Sequence, residues 1–323
     1  MIDPKWVGET MEPAKMDAVA VARELGAQLA KRAATHDADD SFVADNYQEF
    51  KKHKLFSAGV PCHLGGGGAS HPELCGMLNE LAHYCSSSAL ALSMHTHVLA
   101  TMVCRYKHGA VAVEPLLKRI ANEELILVTS GGSDWLDGSG KAEKVEGGFR
   151  VTGRKIFSSG CPSGELLMTT AVYEDPLAGP TVLHVPVPLN GPGIQIHDNW
   201  RAMGMRGTGS NDITIEGVFV PDASVLLRRP RGKWDPFFDV LSPVVWPLVM
   251  AVYVGVAEAA RVGSGKRLRF QLGSAERSSV GPREVCDCWS KNADLRRPLT
   301  PAHKVRYAPE TKWSDHLTNR GSG

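Results

Sequence analysis

The sequence predicts an α+β multidomain protein, with an N-terminal α-helical domain, a middle β-barrel or β-sandwich domain, and a return to helix after it. Apolar residues recur at the helical period as far as residue 122, and they alternate along the chain after Glu124. Residues 237–260 then form a nearly continuous apolar run. We therefore expect domains at 1–122 and 123–235, a further helix at 236–262, and a tail at 263–323.

The N-terminal domain is predicted from amphipathic segments with apolar residues on one face and charged residues on the other. They lie at residues 16–29, 45–55, 72–86, 89–106 and 111–123. The glycine run at 65–68 lacks both the Gly-Lys-Ser/Thr ending and the preceding strand of a phosphate-binding loop. The sequence therefore gives no support for a nucleotide-phosphate loop in this domain.

The middle domain is predicted from short alternating segments rich in β-branched residues, separated by Gly and Pro pairs. They lie at residues 125–130, 148–152, 166–173, 181–186, 194–197 and 212–218. A β domain of about one hundred residues has the size of a small sandwich or barrel.

The apolar run that follows is nearly long enough to span a membrane, because a spanning helix needs about 20 residues. It contains Pro243 and Pro247 and stands alone in the chain. We therefore expect a buried helix and no membrane span. After residue 260 the apolar residues are scattered without a period, so the segment 263–323 is predicted to be largely disordered.

Composition excludes several classes of function. The formal net charge is +1, with an acidic body and a basic tail, and the tail has no aromatic interleaving or zinc-ligand spacing that would support a nucleic-acid partner. The seven cysteines show neither a disulfide framework nor paired metal-ligand spacing. We expect free thiols, a cytoplasmic location and no metal site.

Three motifs in the middle segment carry most of the functional information. They read Leu-Val-Thr-Ser-Gly-Gly-Ser-Asp at 127–134, Gly-Arg-Lys-Ile-Phe-Ser-Ser-Gly at 153–160, and Met-Gly-Met-Arg-Gly-Thr-Gly-Ser-Asn-Asp at 203–212. The third is followed by Glu-Gly-Val-Phe-Val-Pro at 216–221. In this order, and over residues 15–260, the chain resembles the acyl-CoA dehydrogenase family.

The resemblance implies a flavin site, with FAD as the cofactor. Thr129 and Ser159 match hydroxyl residues that reach the flavin, and Phe157 matches an aromatic residue that lies against it. Leu127, in the same first motif, is also expected to contact the cofactor, and Ser133 matches the residue that contacts the thioester arm of an acyl-CoA. Thr129, Phe157 and Ser159 also have ordinary structural interpretations, as a strand end, a core residue and part of a turn.

Two motifs depart from the family pattern. The first is two residues shorter than Thr-Glu-Pro-Gly-Ala-Gly-Ser-Asp and lacks its Glu, and the second has Phe-Ser-Ser in place of Trp-Ile-Thr. Small hydroxyl residues keep a hydrogen bond and enlarge the cavity. In the third motif, we interpret Arg206 as a structural anchor rather than a ligand.

His95 and His97 lie in the predicted apolar helix 89–106, where a histidine is most often a hydrogen-bonded core residue. In flavin-dependent monooxygenases of the same fold, a histidine of the comparable helix acts as an acid or base, a role that suits imidazole near neutral pH. Both residues are therefore candidates for chemistry under that interpretation. Their spacing does not provide a two-histidine metal site.

The family's dehydrogenation removes an α-proton with a carboxylate base while hydride leaves for the flavin. One family position for that glutamate is occupied by Val245, and the other lies in a C-terminal helical bundle that this chain is expected to lack in part. The catalytic base is therefore not identified. Our hypothesis for the incomplete bundle is a frameshift or truncation of the coding sequence near Arg261.

Three functions follow from these observations. The leading one is dehydrogenation of an acyl-CoA by FAD, with an electron acceptor and a homo-oligomer as the expected partners. The second is a flavin monooxygenase of the same fold, with FMN possible and a flavin reductase as its partner. The third is a truncated, catalytically impaired remnant.

Overall fold

The computed structural model describes residues 14–130 and 136–275, with side chains as far as residue 262. The chain divides into a large unit that ends at Gly263 and a second unit from Ser264 onward. The large unit contains the helical and β domains, and the following paragraphs concern it. Most of the tail predicted to be disordered, residues 276–323, lies outside the described residues.

The N-terminal domain is helical, as predicted. Its helices are α1 (Ala18–Asp39), α2 (Ala44–Lys52), α3 (His71–Ala82), α4 (Ser86–Lys107) and α5 (Glu114–Glu123). Helix α3 begins with a capping box, in which the Ser70 backbone N–H donates to the Glu73 side chain at 2.7 Å. The helices enclose an apolar core built around Tyr47, Phe50 and Phe56.

In the described part of the chain, the middle domain is an eight-stranded sheet. Its strands are β1 (Leu127–Thr129), β2 (Lys141–Val145), β3 (Gly148–Ser158), β4 (Leu166–Asp175), β5 (Gly179–Pro188), β6 (Ile194–Ile196), β7 (Asn211–Pro221) and β8 (Leu227–Pro230). The order is β6-β7-β3-β2-β4-β5-β8, and the short β1 pairs in parallel with the start of β4. Strands β2 and β8 were not predicted, because neither shows an apolar alternation long enough to indicate a strand.

Strand β3 contains a bulge at the second motif. Lys155 pairs with Ile213 and Ser158 pairs with Asn211, so β3 carries one residue more than β7 over this stretch. Phe157 takes up the extra length with φ of 56°, in the left-handed region that bulky residues rarely adopt. Because of the bulge, Phe157 is exposed. In a regular strand it would lie on the same, buried side as Lys155.

Another apolar cluster joins the two domains. It contains Leu99 of α4, Leu117 of α5, Leu127 of β1 and Leu166 of β4, all of them buried. Because the cluster draws on both domains, helix α4 and the start of the sheet share one core.

Helix α6 (Phe237–Ala275) follows the sheet and packs against α3. The His71 ring donates to the carbonyl oxygen of Val244 at 2.8 Å, and the Asn79 amide donates to that of Ala251 at 3.3 Å. Leu248 and Val252 enter the core of the helical domain. These contacts fix one face of the helix.

Two predictions about α6 were wrong in part. The helix continues to Ala275, past the predicted end at 262, because Lys, Arg, Leu and Gln in 266–272 are good helix formers. It is also not buried: Trp246, Met250 and Tyr253 are exposed, since only the opposite face meets a partner within the described chain. By length and composition, the part Phe237–Val262 could cross a membrane, so the absence of a span remains a prediction.

Replacing Gly255 by alanine is expected to destabilise the fold. A Cβ atom there would clash with the carbonyl oxygen of Asn79, so α3 and α6 would have to separate. Overpacking of this kind costs about 1–3 kcal/mol, against a gain of about 1 kcal/mol in helix propensity. The midpoint of urea unfolding measures the balance.

The matched control is Gly204→Ala, where a Cβ atom meets nothing within 4 Å. This variant is expected to unfold at the same urea concentration as the unmodified chain. An unchanged midpoint for Gly255→Ala would contradict the close contact between α3 and α6.

Candidate functional site

A cavity of about 150 Å³ lies where the two domains and the start of α6 meet. Its wall is mostly apolar and comes from α4, β1, β4, β5, β8 and α6. Thr129 and Ser130 of the first motif line it, as do His97 and Arg105 of α4. Val245, at one family position for the catalytic glutamate, also lies in the wall.

The charge of the cavity wall is positive. Arg105 contributes a guanidinium, and none of the lining residues in the described chain is acidic. The cavity therefore suits an apolar group with a neutral or negative polar end better than a cation.

His97 is the histidine of α4 that lines the cavity. Its Nδ1 donates to the carbonyl oxygen of Ser93 at 3.1 Å, one helical turn back. A neutral ring has one N–H, so Nε2 carries a lone pair, and it has no hydrogen-bond partner among the described residues. Burial lowers the pKa of His97 to about 4. At neutral pH the cavity therefore contains an unprotonated imidazole nitrogen.

His95 has a different position, because two residues along a helix turn a side chain to nearly the opposite side. Its Nε2 donates to the carbonyl oxygen of Phe56 at 2.7 Å, and its Nδ1 accepts from the backbone N–H of Leu127 at 3.0 Å. The ring is buried against Phe56 with centroids 5.0 Å apart. Both nitrogens are occupied by backbone groups, so His95 links the two domains and does not reach the cavity wall.

Leu127 is placed differently from the sequence prediction of a cofactor contact. Its side chain is buried in the cluster that joins the domains, and its backbone N–H donates a hydrogen bond to His95 Nδ1. The physical reason is that β1 is a buried strand, paired along Leu127–Thr129 with β4. Ser133, the predicted substrate contact, lies outside the described residues.

The second and third motifs meet at a separate patch on the sheet. Phe157 is 57% exposed, and its ring meets Trp200 edge to face with centroids 6.0 Å apart. Ser159 Oγ lies 2.8 Å from Ser210 Oγ of the third motif. In the described ranges, no hydrogen bond or ring contact joins this patch to Thr129, so the predicted cofactor residues form two groups.

The third motif anchors the sheet to the helical domain. Arg206 Nε lies 2.8 Å from a carboxylate oxygen of Asp40, which agrees with its interpretation as a structural anchor. The Gly207 carbonyl oxygen accepts from Val43 N at 3.1 Å, and its N–H donates to Ser87 Oγ at 3.2 Å. A Cβ atom at Gly207 would lie 3.0 Å from Val43 Cγ1, which is tighter than an ordinary van der Waals contact, so the close approach favours glycine.

The exposed patch fits a flat aromatic cofactor. A strained, exposed aromatic ring stands next to a small hydroxyl group, and a ring system with polar edges needs these two features. The buried Ser158 Oγ beside them has no hydrogen-bond partner in the described chain. Across the described residues, no group of three or more His, Cys, Asp or Glu side chains is placed to hold a metal ion.

These features define a protein with a helical domain, a β domain and, where the second and third motifs meet, a patch suited to a flat aromatic cofactor. Residues 13–122 match the acyl-CoA dehydrogenase N-terminal domain, and residues 129–218 match the acyl-CoA dehydrogenase middle domain. The chain therefore belongs to the acyl-CoA dehydrogenase family, as the sequence motifs predicted.

Similar proteins include the amino sugar nitrososynthase RubN8 of Streptomyces rubradiris, 28% identical over 241 residues that make up 72% of this chain and 56% of RubN8. The probable FMNH2-dependent monooxygenase SfnC of Pseudomonas putida is 29% identical over 244 residues, 75% of this chain and 60% of SfnC. The chain thus spans less than two thirds of the length of these relatives.

A solved structure with the same fold is that of KijD3 in complex with FMN and a dTDP-linked sugar. It superposes with a TM-score of 0.73 at 26% identity, over 88% of this chain and 70% of KijD3.

The buried His95 is expected to make the fold sensitive to acid. Burial lowers the pKa of His95 from 6.5 to about 4, so the folded state favours the neutral ring. Its contribution is fully present above pH 6.5 and is lost as the pH falls toward 4, with up to about 3 kcal/mol lost on full protonation. Urea unfolding from pH 8 to pH 4 measures the loss.

The variant His95→Gln offers an amide donor and acceptor but no titration, so its stability is expected to fall less steeply over that range. His108→Gln, at an exposed position at the end of α4, serves as the matched control. Equal pH dependence in His95→Gln and the unmodified chain would contradict the assignment.

Proposed function

We propose that the protein is a flavin-dependent monooxygenase, with FMN in reduced form as the cofactor. The observation that carries the proposal is the open Nε2 of His97 in a cavity whose described wall has no carboxylate. α,β-Dehydrogenation needs a carboxylate base beside the substrate, and Val245 occupies one family position for it. An imidazole base instead suits removal of a proton from a phenol O–H, which activates a ring carbon for oxygenation, or from an amine N–H whose nitrogen is then oxygenated.

The sequence motifs implied FAD as the cofactor. Two relatives support the choice of FMN instead. KijD3 is in complex with FMN, and SfnC is described as FMNH2-dependent. When bound and reduced, the flavin supplies the electrons that activate dioxygen. A separate flavin reductase is the partner this requires. A cytoplasmic location and a homo-oligomer remain predictions.

The patch would bind the flavin, and the cavity would bind the substrate and accept its proton. Phe157 and Ser159 would hold the flavin ring, while the apolar wall would bind the substrate and exclude water. His97 would accept a substrate proton through Nε2, and the hydrogen bond from Nδ1 to Ser93 would keep the ring oriented. Arg105 would favour a substrate with a negative or strongly polar end over a cationic one.

Acyl-CoA dehydrogenation is the second candidate, because both matched domains are those of acyl-CoA dehydrogenases. One pair of assays separates the two. With oxidised FMN or FAD under anaerobic conditions, addition of acyl-CoAs of several chain lengths is expected to leave the flavin absorbance unchanged. Bleaching of the flavin by any of them would favour dehydrogenation and contradict our proposal.

The complementary assay supplies reduced FMN from a flavin reductase, labelled dioxygen and a panel of small phenols and amino sugars. Mass spectrometry is expected to find a product with one labelled oxygen atom. An absence of both labelled product and flavin binding would instead support the interpretation as an inactive remnant.

Replacing His97 by glutamine is expected to lower the rate of oxygenation roughly 100-fold, the lower end of the usual range for general base catalysis. Flavin affinity and melting temperature are expected to stay unchanged, because among the described residues no hydrogen bond or ring contact joins His97 to the Phe157 patch, and the variant keeps a donor for the Ser93 carbonyl. His63→Gln, on the exposed face near Tyr106, is the control.

The pH profile provides a second measurement. Because the pKa of His97 is about 4, the rate in the unmodified enzyme should be independent of pH from 8 to about 5 and fall below that as the base becomes protonated. A rate in His97→Gln equal to that of the unmodified enzyme would contradict the role of His97.

A further inference from the structure

A chain of hydroxyl groups runs inward from Ser159. Ser159 Oγ lies 2.8 Å from Ser210 Oγ, which lies 2.7 Å from Thr208 Oγ1, and Thr208 Oγ1 lies 2.9 Å from the carbonyl oxygen of Met205. Thr208 is fully buried and Ser210 is 5% exposed, while Ser159 is partly exposed. Only the Ser159 end of the chain is accessible to a ligand.

The carbonyl at the inner end fixes the direction of every hydrogen bond in the chain. A carbonyl oxygen only accepts, so the Thr208 hydroxyl donates to Met205. Each hydroxyl has one proton, so Ser210 must donate to Thr208, and Ser159 must donate to Ser210. The reverse order would leave two oxygens 2.9 Å apart with no proton between them.

The inner end is held firmly in place. The Met205 carbonyl also accepts from the backbone N–H of Thr208 at 3.2 Å and from the indole N–H of Trp200 at 3.3 Å. The Thr208 carbonyl in turn accepts from Gly160 N at 2.9 Å, beside Ser159. None of these bonds offers an alternative acceptor to the Ser159 proton.

Because its proton is donated to Ser210, Ser159 Oγ can offer only its lone pairs to a ligand. Oxidised flavin presents N5 as an acceptor, whereas reduced flavin carries an N5–H that donates. We propose that Ser210 and Thr208 act as positioning residues that make Ser159 a hydrogen-bond acceptor, so that the site prefers reduced over oxidised flavin. This inference rests on the proposed function, because it takes Ser159 as the residue that contacts N5 of the flavin.

Thr208 permits a test with matched variants. Thr208→Val has nearly the same shape but no hydroxyl, so Ser210 loses its acceptor and Ser159 can turn its proton outward. Thr208→Ser keeps the hydroxyl and loses only a methyl group. The probe is FMN, titrated anaerobically in its oxidised and its reduced forms against the full chain, and the readout is the ratio of the two dissociation constants.

The unmodified chain is expected to bind reduced FMN roughly tenfold more tightly than oxidised FMN, which is the order of one well-placed hydrogen bond. Thr208→Val is expected to lose most of this preference, and Thr208→Ser to keep it. A general loss of structure would weaken both forms together and leave the ratio unchanged. Ser210→Ala, which interrupts the series of hydroxyl groups at a second point, should have the same effect as Thr208→Val.

A final pair of variants tests whether the effect passes through Ser159. Ser159→Ala should remove the preference, and adding Thr208→Val to it should change the ratio no further. Binding of FMN with an unchanged ratio in Thr208→Val would overturn this inference and leave the proposed function intact. A failure of the unmodified chain to bind FMN in either form would overturn the proposed function and this inference with it.

Discussion

The fold depends most on the bridge that His95 makes between the two domains. Its ring donates a hydrogen bond to the carbonyl oxygen of Phe56 and accepts one from the N–H of Leu127. Both residues are buried, so neither backbone group could bond to water instead. The Phe56 N–H also donates to the Glu124 side chain at 3.1 Å. Both backbone polar groups of Phe56, in the loop after α2, are therefore hydrogen-bonded. Leaving any of these buried groups unpaired costs about 1–3 kcal/mol. The bridge also sets the rotation of α4, which turns His97 toward the cavity.

A second joint, at the third motif, completes the positioning. Gly207 exchanges hydrogen bonds with Val43 and Ser87, and the ion pair between Arg206 and Asp40 lies beside them. The His95 bridge holds the start of β1, while this joint holds the loop before β7. With two separate points of attachment, the sheet cannot pivot on the helices without breaking buried hydrogen bonds. The cavity between α4 and the sheet is therefore a fixed feature of the fold.

Most of the architecture could be predicted from the sequence, because helical and alternating periods report which face of each element is buried. Strand β2 was missed because its residues, Lys-Ala-Glu-Lys-Val, include only one buried side chain. The roles of His95 and Leu127 could not be predicted, since a period shows that a residue is buried but not which distant backbone group it meets. The hydroxyl chain was missed for the same reason: it depends on the pairing of β3 with β7, about fifty residues apart.

The local costs at the second and third motifs support a ligand site there rather than a purely structural one. Phe157 and Met205 both adopt left-handed backbone conformations, which cost of order 1–3 kcal/mol each for residues other than glycine. Exposure of more than half of Phe157 forgoes burial of an aromatic ring, and Ser158 leaves a buried hydroxyl unpaired within the described chain. A fold selected for stability alone would remove these features with a regular strand. Their concentration around Ser159 is what a surface shaped for a flat cofactor requires, because binding energy can offset strain that packing does not.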